Sequence, residues 1–390
     1  MNPIPLVDIA ALSARHRARV LALAGDDALV VATSGPNVVY CSGYRSMGYD
    51  TDPAQRMAMV FNAGEGILVG PTADLWAAQE VAGPNLRYFG YRSFFFDDAA
   101  MRTATATHVE TFTAYEDALS AAIHALAGNR PLLIEGAAPA ALATGFARTR
   151  VKDAARLLCR ARAIKDAEEI VLLRYATRVT EEALAQALAQ ARAGMSELDV
   201  AAEISTRMIR AGVRPGFVVV TSGPRAAFAD AHASPRRLAP GDLLRLDIGG
   251  SFQGYWSDTA RSAVVGEPSA EMAAVDAAIV AGQRAGLARV EPGVTSDALF
   301  HTTVEAVRAA GLPAYRRHHV GHGLGLDSHE YPTLGPANPV TLEPGMVINI
   351  EAPYYRPGWG GLMYEDTLVV TEDGADRLTR LAPGLVILPA

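Results

Sequence analysis

The residues best suited to chemistry in this chain are acids that come in pairs and histidines that come in a cluster. Asp247 and Asp258 bracket the glycine-rich stretch IGGSFQGYWS, and Glu351 and Glu365 bracket APYYRPGWGGLMY. Between the two pairs, His318, His319, His322 and His329 fall within HHVGHGLGLDSHE, four of the nine histidines of the chain. Both bracketed stretches are flanked by apolar runs and read as β-hairpins, the first turning at Phe252-Gln253 and the second at Gly358. Residues equidistant from a hairpin turn face each other with Cβ atoms about 5 Å apart. Asp247 is therefore expected opposite Asp258, and Glu351 opposite Glu365. Like charges so placed destabilise a sheet, and an unpaired buried carboxylate is costly. Two such pairs call for shared protons or for cations. Together with His322 they form a set of five oxygen and nitrogen donors with no thiolate. That set suits Mn²⁺, Co²⁺, Fe²⁺ or Zn²⁺ in a two-metal centre with bridging carboxylates, and does not itself select the metal.

The elements that must position these groups are duplicated. GMSELDVAAEISTRMIRAG runs from Gly194 to Gly212 and GVTSDALFHTTVEAVRAAG from Gly293 to Gly311, each with a Ser or Thr N-cap and a closing glycine. Downstream, LAPGDLLRLD (Leu238 to Asp247) parallels LEPGMVINIE (Leu342 to Glu351), with a Pro-Gly turn, an apolar strand and then an acid. The offsets are 99 residues for the helices and 104 for the strands, one ordered duplication with a small insertion. A repeated helix–strand–hairpin unit predicts two halves related by a pseudo-two-fold axis, with a site between them. The repeat is too long and has too few members for a solenoid.

The first part of the chain reads differently. Short apolar runs between turn residues alternate with helical segments; FTAYEDALSAAIHALAG is a helix ending at Gly128 and RPLLIEG a buried strand. The long alanine-rich stretch from Val151 is helical in period, with a break near Ile164. We place a domain boundary there, giving domains over residues 1–160 and 161–390 of the 390-residue chain. A formal net charge of -7 argues against nucleic acid as the main partner. Two cysteines, Cys41 and Cys159, give no disulfide framework. No apolar run approaches the roughly 20 residues of a membrane span, and no signal peptide is visible. A soluble, cytoplasmic protein is expected.

The series Asp247, Asp258, His322, Glu351, Glu365, with GHGLG and a second histidine seven positions after the first, resembles the pita-bread metallopeptidases: methionine aminopeptidase, aminopeptidase P and prolidase. The resemblance covers the whole chain. It implies an α+β protein, with a C-terminal pita-bread domain behind a smaller α/β N-terminal domain of the kind found in creatinase, prolidase and aminopeptidase P. It implies hydrolysis of Xaa-Pro bonds: two cations, Mn²⁺ or Co²⁺ foremost, lower the pKa of a bridging water, the hydroxide attacks a carbonyl, and Glu351 accepts and relays the proton. His232 and His329 would bond the substrate carbonyl or oxyanion, and His318 would line the pocket. His319 is read as a packing or surface residue, and the glycines as room for backbone beside the cations. Arg316 and Arg317 could meet an anionic substrate group, although paired arginines ahead of a loop are generally solvated. The resemblance also implies a homodimer in which the N-terminal domain helps wall the partner's site, with Arg45, Tyr49 and Arg56 as candidate contacts. The chain departs from the pattern at Met363, where prolidases and aminopeptidases P carry arginine, and at Ser328, where a branched aliphatic is usual. Met363 favours the rival expectation, a metallohydrolase or lyase acting on a small non-peptide substrate such as an osmolyte. Creatinase itself lacks the metal acids that Asp247 and Asp258 keep here.

Overall fold

The computed structural model describes residues 3–52, 54–94, 109–136, 151–337 and 339–390. The chain divides into two compact units, Leu6–Arg162 and Ala163–Ala390, the second joined by the first few residues.

In the first unit, strands β1 (Leu29–Ala32), β2 (Ala58–Phe61), β3 (Gly66–Pro71), β4 (Arg87–Tyr91), β5 (Val109–Phe112), β6 (Leu132–Ile134) and β7 (Val151–Asp153) form one sheet in the order β5-β4-β3-β2-β1-β6-β7. β2 runs antiparallel to both neighbours and the other pairings are parallel. β1, β2 and β6 are buried throughout, as strands covered on both faces must be. The helix expected before Gly128 spans Tyr115–Ala127 and packs Ala118, Leu119, Ala122 and Ile123 into the core of the sheet.

The second unit is built on β8 (Arg214–Ser222), β9 (Leu243–Phe252), β10 (Tyr255–Val265), β11 (His322–Gly323), β12 (Glu330–Thr333), β13 (Val347–Arg356) and β14 (Gly360–Thr371), in the order β12-β11-β13-β14-β10-β9-β8. β15 (Gly374–Arg377) pairs with β14, and β16 (Val386–Leu388) with β10. The duplication appears atom by atom. Gly194 N–H donates to Leu238 O at 2.9 Å, and Gly293 N–H to Leu342 O at 2.9 Å. Ser196 bridges Arg237 as Thr295 bridges Thr341. The helices Glu197–Arg210 and Ser296–Ala309 start from Ser196 and Thr295 as N-caps. The two halves meet where β10 lies antiparallel to β14.

Alternation along the strands then decides which residues reach the site. Ile348, Ile350, Leu362 and Tyr364 point to the helix-covered core, where they are buried with Ile279, Leu299 and Val304. Their odd-numbered neighbours Asn349, Glu351, Met363 and Glu365 therefore share the opposite face.

The second hairpin has the expected register, with Glu351 opposite Glu365. The first does not. Phe252 pairs with Tyr255, which puts the two-residue turn at Gln253-Gly254, so Asp247 faces Ala260 and Asp258 faces Gly249. The cause is the turn chemistry: Gln253 and Gly254 both hold positive φ (50° and 90°), the conformation of the tight turn that matches strand twist. Asp247 and Asp258 are diagonal neighbours on one face rather than directly opposed.

Candidate metal centre

Four adjacent strands carry a lateral row of residues, Asp247 on β9, Ala260 on β10, Glu365 on β14 and Glu351 on β13, each paired with the next. Asp258 lies two positions along β10 from Ala260, on the same face. His322 enters from β11, which pairs with β13 through Gly323 and Ile348. Asp258, His322 and Glu365 are all buried and offer ligand atoms within 4.8 Å of one another. His322 Nε2 is 3.8 Å from Asp258 Oδ2 and 3.6 Å from Glu365 Oε1, while its Nδ1 sits 3.0 Å from Gly323 O. With Nδ1–H donated to that carbonyl, Nε2 presents its lone pair to the carboxylates, the arrangement typical of a metal-ligating histidine.

The electrostatics are those of an acid cluster awaiting positive charge. Burial, then the neighbouring Glu365 carboxylate, raises Asp247 to about 8. Burial, then Glu351, raises Glu365 to about 8. Asp258 is raised well above the ordinary range by burial and by Glu365, Asp247 and Glu351. Burial opposes ionisation at Glu351 as well, but His319, Arg317 and His322 outweigh it and hold that carboxyl below its ordinary value. Asp258 Oδ1 and Asn349 Oδ1 are buried without a hydrogen-bond partner. An unpaired buried carboxylate oxygen among three other acids is what a cation site leaves open. The donor set therefore fits divalent metal.

The histidines divide differently from their reading in the sequence. His319 is not a bystander: its Nδ1 lies 2.7 Å from Glu351 Oε1, with the side chain only 19% exposed. No sequence signal marks this contact, because it runs between β13 and the loop ahead of β11, distant in sequence. His329 is exposed but stacks on His322, ring centroids 3.9 Å apart, and burial followed by His322 lowers its pKa. His318 is exposed and packs edge-on against His319 at 4.3 Å. His232 is exposed on a loop that buried Glu197 fastens by accepting hydrogen bonds from Ser222 and Ser234, both backbone and hydroxyl. Glu330, next to His329, is tied to Lys165 at 3.1 Å in an ion pair buried on both sides. Arg316 is exposed, as expected for a solvated residue, whereas Arg317 is only 13% exposed, 3.8 Å from Glu351. The glycines around His322 serve backbone packing. At Gly321 a Cβ would come 1.9 Å from Asn349 O, so only glycine lets this segment lie against β13.

Arg245 is a further member that sequence reasoning missed. Period-two alternation places it on the face of Asp247, and an arginine inside the apolar run LLRLD was the signal available. It is wholly buried, and its guanidinium donates to Ala226 O, Phe228 O, Ala229 O and Asp247 Oδ2 at 3.2, 2.7, 2.5 and 3.3 Å. The sulfur of Met363 lies 3.9 Å away and also receives the Tyr355 hydroxyl at 3.6 Å. Met363 thus sits beside a guanidinium supplied by β9, which lies two strands away across β10. Arg245→Met would leave three carbonyls and one carboxylate without their donor. It is expected to destabilise the protein by about 3 kcal/mol, measured as a lower denaturation midpoint at unchanged slope.

In the first unit Arg45 pairs with Asp50 at 2.8 Å, the Tyr49 hydroxyl accepts from Gly35 N–H at 3.0 Å, and Arg56 pairs with Glu116 while lying 4.0 Å over the Tyr115 ring. Tyr49 and Arg56 line a cavity of about 320 Å³ within that unit.

Comparison with known proteins identifies the family. The model of metallopeptidase family M24 matches residues 171–372, more than half of the chain, and the chain belongs to that family. It is 35% identical over 229 residues to the "uncharacterized peptidase YqhT" of Bacillus subtilis (strain 168), covering 58% of this chain and 65% of that one. It is 34% identical over 221 residues to the Xaa-Pro dipeptidase of Pyrococcus furiosus, covering 56% and 64% respectively. The chain thus spans just under two thirds of the length of these relatives. The solved structure of dipeptidase PepE from Mycobacterium ulcerans superposes with a TM-score of 0.80 at 30% identity, over 98% of this chain and 99% of that one. The fold is an α/β N-terminal unit followed by the pita-bread fold. Among the described residues no helix is long and apolar enough to cross a membrane.

Proposed function

We propose that this protein is a metal-dependent peptidase that cleaves Xaa-Pro bonds in short peptides, as a dipeptidase or an aminopeptidase. In this reading Asp247, Asp258, His322, Glu351 and Glu365 hold two divalent cations, Mn²⁺ or Co²⁺. The observation that carries it is the buried cluster of Asp258, Glu365 and His322, with Asp247 and Glu351 in the same row across the sheet and Asp258 Oδ1 buried and unpartnered. The Xaa-Pro substrate class is supported by the similarity to the Xaa-Pro dipeptidase of Pyrococcus furiosus. When bound, divalent cations supply Lewis acidity and a water acidic enough to ionise near neutral pH.

The chain's own groups supply the rest. Glu351 is ionised at neutral pH because His319 and Arg317 offset its burial, so it can take a proton and hand it to the leaving nitrogen. His329 is neutral at the same pH and can donate a ring N–H toward a carbonyl oxygen as that oxygen gains charge. In this reading His232 and His318, both exposed, border the substrate rather than hold metal. Loading metal-free protein with Mn²⁺ or Co²⁺ and assaying Xaa-Pro dipeptides, Xaa-Pro-Yaa peptides, proline-free controls and creatine tests this reading. Turnover confined to the proline peptides is expected, and a fully loaded protein that cleaves none of them refutes it.

His319 should matter through Glu351. His319→Ala is expected to lower kcat by about 10- to 100-fold, the usual effect of losing a partner that orients a ligating group. Removing a group that holds Glu351 low raises that carboxyl, so the acid limb of the kcat profile should also move to higher pH. A pH–rate profile of the variant checks both, and an unmoved limb would assign His319 to packing alone.

A further inference from the structure

Beside the candidate metal centre lies a cavity of about 420 Å³ between the loop Gly311–Arg317 and the Pro353–Tyr355 segment of β13. Its walls are braced: the Tyr315 hydroxyl donates to Pro353 O at 3.0 Å, and Arg308 Nε donates to Tyr315 O at 2.9 Å. Tyr354 and Tyr355 give it aromatic surface, and Tyr354 is itself set edge-on against Trp359 at 5.7 Å. The guanidinium of Arg317 closes the end nearest the carboxylates. It lies 6.0 Å from the centroid of the Tyr355 ring, whose ring also has Arg245 at 5.3 Å.

The two arginines differ in what their donors do. Those of Arg245 are committed to three carbonyls and Asp247. Arg317 Nε is buried and has no hydrogen-bond partner, and its terminal nitrogen is 3.8 Å from Glu351, too long for a hydrogen bond. A nearly buried guanidinium with donors to spare forms its best bonds with a planar anion, two parallel N–H···O contacts to one carboxylate. The apolar part of such a ligand has Tyr354, Tyr355 and Pro353 to rest on.

We propose that this cavity is a specificity subsite that takes a carboxylate of a short peptide on Arg317. This deepens the reading of the neighbouring centre as a peptidase and rests on it. The carboxylate could belong to the chain terminus or to an acidic side chain, since both lie within about one residue of a bond cleaved at Glu351.

The test is calorimetric binding to metal-loaded protein of three probes: N-acetylproline, N-acetylprolinamide and N-acetylglutamate 1-amide. Wild-type protein is expected to bind at least one carboxylate probe about 10- to 100-fold more tightly than the uncharged amide. Tighter N-acetylproline points to the chain terminus, and tighter N-acetylglutamate 1-amide to the side chain. Arg317→Met, which keeps the stem on Tyr355, should abolish the preference, and Arg317→Lys should restore part of it; thermal melting reports that both variants fold. Equal binding of all three probes, or a preference surviving in Arg317→Met, overturns the proposal, the latter because carboxylate held by metal alone does not need Arg317. Binding needs no turnover, so a failure of the Xaa-Pro peptide panel would count against the peptidase reading separately.

Discussion

Asp258→Asn is expected to lower kcat/KM for an Xaa-Pro substrate by about 10³-fold or more and to leave the chain folded. Metal-supplied charge stabilisation is worth several kcal/mol, and each 1.36 kcal/mol is a factor of ten. Asparagine has the shape of aspartate but offers a neutral carbonyl oxygen in place of an anionic ligand. Little else is lost, because Asp258 Oδ1 has no hydrogen-bond partner in the protein and the amide keeps the shape that meets Glu365. In the metal-free protein the change removes one of four carboxylates that raise one another's pKa values, so the variant should be at least as stable as wild type near pH 8. Activity, metal content by elemental analysis and thermal melting, measured together, check it. A variant that keeps both its metal and its rate would show that Asp258 holds no cation.

How much of this site could be read from the sequence depends on which physical rule fixed each residue. Glu351 and Glu365 face each other as expected because a Pro-Gly-Trp turn centred on Gly358 sits symmetrically between them. The first hairpin slipped by one position because three glycines surround its turn, and only the positive φ of Gln253 and Gly254 distinguishes the true centre. The slip leaves both aspartates on the site face, since a hairpin shift of this kind changes partners by two residues and keeps parity. Composition could not separate Glu365 from Asp366, adjacent acids that are both buried. Their partners do. Asp366 accepts from Arg261, Arg377, Thr379 and Gln283, which hold it below the ordinary carboxylate range, whereas Glu365 faces other acids and is raised.

The contacts that escaped the sequence share a cause: each joins segments far apart in the chain. His319 reaches Glu351, and Arg245 reaches Met363 across 118 residues. A missing arginine at position 363 therefore does not mean a missing guanidinium in this part of the site. What the sequence reported as a break in a pattern, the fold reports as a methionine sulfur packed between Arg245 and Tyr355.

Removing metal is expected to abolish peptide turnover and to leave a protein that becomes less stable as pH rises, the reverse of the usual acid-side trend. Asp247 and Glu365, both near 8, and Asp258, also raised, keep protons in the fold that the unfolded chain releases from about pH 4 upward. The native state then binds more protons than the unfolded state, so stability is full below about pH 4, falls as pH climbs toward 8, and levels off above the folded values. Glu351 works the other way. Its depressed value contributes stability above its ordinary pKa that is lost in acid, but it is one group against three. Divalent cations reverse the trend, because binding requires the carboxylates ionised and displaces their protons, so affinity rises with pH. A ligand at a hundredfold excess over its Kd adds about 2.7 kcal/mol to stability. Melting curves of chelated and Mn²⁺-loaded protein between pH 5.5 and 8.5 should therefore show Tm falling with pH in the chelated sample and the gap between the two widening. Re-addition of Mn²⁺ or Co²⁺ should restore turnover. A gap that stays constant with pH, or a chelated protein that gains stability toward pH 8.5, would mean that these carboxylates are not protonated in the metal-free fold and that repulsion among them is not what the cations relieve.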